Sequence, residues 1–374
     1  MIAAVALATV VAGSSRGVPS SAARPSVPSG SSRVGDDPFA GLPLVVPGQL
    51  VGRIRYIANG GCKLRELREL DLATGRDSTV ASFDLCDVGW AVLSPAGDAV
   101  AARRGDNRIV LTRVDGTKLA IGEPARGRPP GNFNVLPTFS STGRLLAYCG
   151  YTKTRMVTSI VDVPSGKVLA HINGTCEVAF TARGIAYVKR TSLIIAGKTI
   201  FRFPGTVTAN TVAGIGSEGN PLISNPDGNL LALATRDHGA ADKHVTIHIL
   251  RLDGSEVARY RGSVDITLAF QALAPAATSA FVWWGDIMQL ASFGRPHGSF
   301  TLRYHAGHST DASRAIFPST YAPDGVHAIM PRTLLVPGEP QPAPLPALIL
   351  SASDLAPEYR LSIDAQIAVW LPPQ

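Results

Sequence analysis

The sequence predicts an all-β fold, a β-propeller of seven four-stranded blades, with six and eight blades as the neighbouring alternatives. Three observations carry this reading. One four-residue turn returns along the chain, a second Asp/Gly turn returns behind it, and the last segment has the pattern of a strand that the first unit lacks.

The first turn stands at Ser94-Pro95-Ala96-Gly97, Ser140-Ser141-Thr142-Gly143, Asn225-Pro226-Asp227-Gly228 and Ala322-Pro323-Asp324-Gly325. Weaker copies occupy 181–184 and 274–277. Ser or Asn in first place accepts a local hydrogen bond, Pro in second pre-sets φ, and Gly suits the fourth. Short apolar runs flank each copy, so each reads as a hairpin. The second turn stands at Asp71-Leu72-Ala73-Thr74-Gly75-Arg76, Val114-Asp115-Gly116-Thr117, Asp162-Val163-Pro164-Ser165-Gly166-Lys167 and Leu252-Asp253-Gly254-Ser255, with Ala196-Gly197-Lys198 as a degenerate fifth. Two hairpin turns in each unit of roughly 40–50 residues make four strands, which is one blade.

Taken in order, residues 1–23 open with an apolar stretch, MIAAVALATVVA, followed by small residues. This resembles a secretory signal, although no Lys or Arg precedes it. Residues 24–48 read as a disordered Ser/Pro-rich linker, and 49–374 as the propeller. The first unit opens near Gly52 without an inner strand before its first turn. The others open near Val88, Val135, Glu177, Gly219, Ile266 and Ile316. The segment Gln366-Ile367-Ala368-Val369-Trp370-Leu371-Pro372 resembles the inner strand at Gly89-Trp90-Ala91-Val92-Leu93 and is expected to close the ring. Closure removes edges that open sheets must otherwise protect. In KLRELRELDL (63–72), Leu64, Leu67 and Leu70 have helical spacing, but the Asp71 turn behind them favours a strand. Residues 123–134 and 336–346 read as irregular loops.

These turns resemble those of the TolB-like and WD-repeat-like propeller families, whose blades carry an S-P-D-G turn and a later D-x-x-[ST]-G-[KR] turn. The resemblance spans about residues 50–374 and implies the fold. No unit carries the full consensus, since Ala96, Ser141-Thr142, Asn225 and Ala322 depart from it, and the W-D dipeptide is absent.

The formal net charge is +7, but Lys and Arg are spread along the chain with no nucleic-acid-binding motif, so a solvated basic surface is expected. No apolar run approaches the roughly 18 residues of a membrane-spanning helix. Cys62, Cys86, Cys149 and Cys176 form no C-x-x-C pair. Their even number fits two disulfides in an oxidising compartment. Neighbour pairing, Cys62–Cys86 and Cys149–Cys176, is one of three connectivities, and four buried thiols are the alternative.

Candidate chemistry is sparse. His244 and His248 share a strand face but stand roughly 13 Å apart, too far to chelate one ion, and read as exposed polar positions. His305 and His308, with His297 nearby, are the densest imidazole group, and a metal there needs partners from other blades. Trp283 and Trp284 offer an aromatic platform, although neighbouring strand residues face opposite ways, and core packing is the simpler role. No G-x-S-x-G elbow and no P-loop occur. The letters Gly214-Ile215-Gly216-Ser217-Glu218-Gly219 precede no helix. No catalytic residue, cofactor or metal is assigned.

The expected function is that of an exported, non-enzymatic binding or scaffold protein. Its loops would meet a protein, a peptide or a cell-envelope polysaccharide in an extracellular or envelope setting. The alternative is a propeller enzyme, a lactonase-like hydrolase or a metal-dependent lyase, with its site at the central channel. The mostly apolar inner strands weigh against that alternative.

Overall fold

The computed structural model describes residues 37, 39–58, 65–83, 88–104, 108–121, 137–151, 156–207, 220–236, 244–263, 268–284, 287–303, 320–334, 343–354 and 356–373. They form seven antiparallel sheets in a ring. Blade 1 contains β1 (Arg53–Ala58), β2 (Arg65–Asp71) and β3 (Asp77–Phe83). Blade 2 is β4 (Val88–Leu93), β5 (Ala99–Arg104), β6 (Ile109–Arg113) and β7 (Lys118–Ile121). Blade 3 is β8 (Thr138–Phe139), β9 (Leu145–Tyr151), β10 (Met156–Asp162) and β11 (Lys167–Asn173). Blade 4 is β12 (Val178–Thr181), β13 (Gly184–Lys189), β14 (Ser192–Ile195) and β15 (Lys198–Arg202). Blade 5 divides its inner position between β16 (Thr206–Val207) and β17 (Leu222–Ser224), both paired with β18 (Leu230–Arg236), and continues with β19 (His244–Arg251) and β20 (Glu256–Ser263). Blade 6 is β21 (Leu268–Leu273), β22 (Ser279–Trp284), β23 (Ile287–Phe293) and β24 (Phe300–Arg303). Blade 7 is β25 (Thr320–Tyr321), β26 (His327–Leu334), β27 (Ala343–Ser351) and β28 (Pro357–Arg360).

The last strand, β29 (Ala365–Leu371), becomes the inner strand of blade 1. It pairs antiparallel with β1 from Arg53↔Leu371 to Ala58↔Ala365. The expected closure is therefore present.

Alternation along the strands explains the core. Seven apolar clusters of described residues fill the seven gaps between neighbouring blades. On β29, Ala365, Ala368 and Trp370 face blade 7, whereas Ile367, Val369 and Leu371 face blade 2. On β5, Val100 and Ala102 face blade 1, whereas Ala99 and Ala101 face blade 3. Each such strand is buried on both faces, so its sequence reads as a continuous apolar run rather than a polar–apolar alternation. Full burial of a large apolar side chain stabilises by roughly 1.5–3 kcal/mol. The helical spacing in β2 resolves the same way: Leu67 joins the cluster shared with blade 2, and Leu70 the cluster shared with blade 7.

A segment before β1 adds a second clasp. The backbone of Arg360 on β28 donates to the Pro43 carbonyl, and its carbonyl accepts from the Val45 amide. Arg332 forms a bidentate ion pair with Asp37 at 2.8 and 3.0 Å, donates to the Pro346 carbonyl and lies over the Phe39 ring. Of the stretch read as a linker, residue 37 and residues 39–48 are thus described on blade 7. Backbone hydrogen bonds in this strap cover the short outer strand β28, whose edge needs protection.

Candidate functional site

Strand direction gives the ring two unlike mouths. The second turn of every blade, and the first turn of blades 2 to 7, fall at one mouth. The connections that lead outward within blades and onward between them fall at the other. The internal segments of two or more residues outside the described residues join strand ends at this second, loop-bearing mouth.

The turn mouth is built from the chemistry of its repeats. Ser94 Oγ accepts from the amides of Asp98 and Ala99, and Asn225 Oδ1 accepts from those of Asn229 and Leu230. Ser140 Oγ accepts from Leu145 N at 3.0 Å. Where Ala322 stands in first place, Asp324 Oδ1 takes over and accepts from Val326 N and His327 N. The turns also bind their neighbours. Arg55 donates to the Gly97 carbonyl, Ala182 N to the Gly228 carbonyl, and Asn225 Nδ2 to the Pro275 carbonyl. Arg113 reaches the Val163 and Pro164 carbonyls of blade 3. Ser279 Oγ meets the Tyr321 hydroxyl at 3.0 Å and the Ala352 carbonyl at 3.1 Å. Burial holds the Tyr321 hydroxyl well above the usual phenol range, so it stays a neutral hydrogen-bonding group. These ties make the turn mouth a locked plate.

Between the mouths runs a channel of about 640 Å³, lined by residues of all seven inner strands. Inner-strand side chains point largely into the gaps between blades, so the walls combine apolar residues such as Val178, Leu222 and Phe270 with small polar groups such as Thr138, Ser224 and Thr320. Asn220 ties three blades at this wall: its backbone exchanges hydrogen bonds with Phe270, and its Nδ2 donates to the Val178 carbonyl at 2.7 Å.

The disulfide Cys149–Cys176 joins β9 to the connection that leads into β12. Glu177 beside it is buried, and its Oε2 accepts from the Thr175 hydroxyl at 2.6 Å and from Cys176 N at 3.2 Å. Cys62 and Cys86 lie outside the described residues, as do His305, His308 and the stretch 214–219. Trp283 and Trp284 end β22 at the loop mouth, in register with Ala269 and Leu268. Their side chains are outside the description. His297 does not share their mouth. It sits in the β23–β24 turn at φ +63°, exposed at the turn mouth.

One expectation is overturned. His248 is buried, not an exposed polar position. Its Nδ1 meets Glu256 Oε1 at 2.6 Å, its Nε2 meets Thr235 Oγ1 at 3.0 Å, and Phe201 packs 5.2 Å away. The reason is that β19 of blade 5 is covered on one face by blade 4 and on the other by blade 6, so a polar side chain facing the gap to blade 4 must be hydrogen-bonded there. Burial pushes the Glu256 carboxyl up, but hydrogen bonds from Arg259 and His248 outweigh it and leave it below the usual range. His244, at the open end of the same strand, is exposed. No sequence signal separates the two, because the partners Thr235 and Glu256 come from different strands.

No family model matches this chain, and no curated protein sequence matches it. Several solved structures are similar to it. TolB from Acinetobacter baumannii aligns at 15% identity over 89% of this chain and 69% of its own, with a TM-score of 0.45. The Cps50 (Swd1) β-propeller domain of Myceliophteria thermophila aligns at 11% identity over 74% and 86%, TM-score 0.45. A functionally unknown protein from Desulfotomaculum acetoxidans aligns at 9% identity over 86% and 99%, TM-score 0.47. The assignment of the propeller fold rests on the strand order and register described above.

Proposed function

We propose that this chain is an exported propeller that binds a protein, a peptide or a cell-envelope polysaccharide through its loop mouth. The observation that carries the reading is the asymmetry of the ring. One mouth is a plate of short turns tied to one another, and every longer connection leaves from the opposite mouth. Variable connections held by a rigid scaffold are the usual place for recognition. Export is supported by the signal-like 1–23 stretch and by the Cys149–Cys176 disulfide, which suits an oxidising compartment.

The test is surface plasmon resonance with the purified protein against immobilised envelope polysaccharide and secreted proteins of the source cell. Trp283→Ala at the end of β22, with His305→Ala and His308→Ala in the stretch between β24 and β25, tests the loop mouth, and Lys118→Ala with Arg183→Ala tests the turn mouth. Loss of binding in the first set with retention in the second is the expected result. The reverse pattern removes the proposal.

A further inference from the structure

We infer that the central channel, entered from the turn mouth, is a second binding site, which takes an amine or guanidine carried on an apolar body. The cavity, about 640 Å³, has the size and apolar walls of a small-molecule pocket. Its charge runs against that of the whole chain. The protein has 35 Lys and Arg against 28 Asp and Glu, yet the charged residues of the described lining are two carboxylates, Asp227 and Asp324. Each holds the third position of its turn, in blades 5 and 7, on either side of Pro275 in blade 6. Asp324 has a fixed direction, since Oδ1 accepts two backbone amides and Oδ2 meets His327 Nδ1 at 2.9 Å.

The rim supplies an independent argument. Five lining residues at or beside the turns are Pro95, Pro226, Pro275, Pro323 and Pro372. A proline has no N–H, so these positions offer an entering anion no backbone donor. The pyrrolidine rings offer apolar surface instead. A cation therefore finds two negative charges and an apolar collar, an anion finds neither charge partner nor donor at five rim positions, and a low-dielectric channel of one sign concentrates that preference.

Phenethylamine, phenethyl alcohol and phenylacetate share one body and differ in charge, so calorimetric titration of the intact protein with the three reads the preference directly. Saturable binding of the amine, at least about tenfold tighter than the alcohol and weakened by added salt, is expected, with phenylacetate weakest. Asp227→Asn with Asp324→Asn should bring the amine to the level of the alcohol, and Asn at 324 keeps an acceptor for the turn. Asp227→Asn alone, at an exposed position outside the turn's backbone bonds, should give part of that loss without a change in melting temperature. Ser224→Phe, which fills the channel, should abolish binding. Equal binding of amine and alcohol, an unchanged preference in the double variant, or full binding by Ser224→Phe overturns the inference. None of these variants touches the loop mouth, so this site and the one proposed above fail or stand separately.

Discussion

Gly254 sits in the β19–β20 turn at φ +89°, where an added β-carbon would lie 1.8 Å from the Ile200 carbonyl oxygen of blade 4. Gly116 holds the same place in the β6–β7 turn at φ +81°, with nothing within 4 Å of that position. The two glycines separate two costs. Gly116→Ala should lose only the left-handed penalty, about 1–2 kcal/mol. Gly254→Ala must also displace backbone and should lose more than about 3 kcal/mol by denaturant unfolding. Titration at this scale has two signs. A side-chain hydrogen bond from Ser165 holds the Asp162 carboxyl low, and one from Ser255 does the same for Asp253. Such groups stabilise above the ordinary carboxylate range, and the contribution is lost as pH falls through their lowered values. Burial pushes the Asp364 carboxyl up, so its ionised form opposes folding at neutral pH. Asp364→Asn should raise the melting temperature at pH 7 and leave it unchanged near pH 3, where the native group is already protonated. A fall at pH 7 would contradict this assignment.

At the scale of elements, the ring depends on two clasps at one seam. Trp370 on β29 is buried, donates from Nε1 to the Val51 carbonyl at 3.0 Å and stacks near His327. Trp370→Ala should destabilise by about 3–5 kcal/mol, the range for emptying a large aromatic site. The strap is held by Arg332 and Asp37, both nearly inaccessible to water. Asp37→Ala strands a buried guanidinium and should cost about 3–5 kcal/mol, whereas Asp37→Ala with Arg332→Met should recover much of that loss. Both are read from chemical denaturation midpoints. The closing strand was legible because its apolar run lacked a local partner, and the turns were legible because Pro, Asp and Gly act within four residues. The strap was not legible. Asp37 meets Arg332 across 295 positions, and an unremarkable Asp in a Ser/Pro-rich stretch carries no local sign of it. The burial of His248 escaped for the same reason, as did the division of the inner position of blade 5 between β16 and β17.

For the whole molecule, the period of the turns pointed to seven blades with six and eight still open, and closure followed from the unpartnered last strand, whereas the directions of the two mouths required the strand order in three dimensions. Trp283 and Trp284 hold the last two positions of β22, whereas the rim of prolines and aspartates around the channel emerged only when turns from different blades came together. The Cys149–Cys176 link closes a loop across 27 positions and is worth about 3–4 kcal/mol in the chain-entropy account. Reduction should lower the melting temperature accordingly. Intact-mass analysis should show a loss of two hydrogens for this pair, and four if Cys62 and Cys86 are joined as well. The closing strand has one further consequence, for the timing of folding. Val51 and Trp370 are 319 positions apart, so a chain emerging from the ribosome displays its opening blade with an empty slot until the other six blades have passed. The nascent propeller therefore carries a strand-shaped vacancy through the emergence of six further blades, and a chaperone that shields that slot would shape its yield more than one acting on the later blades.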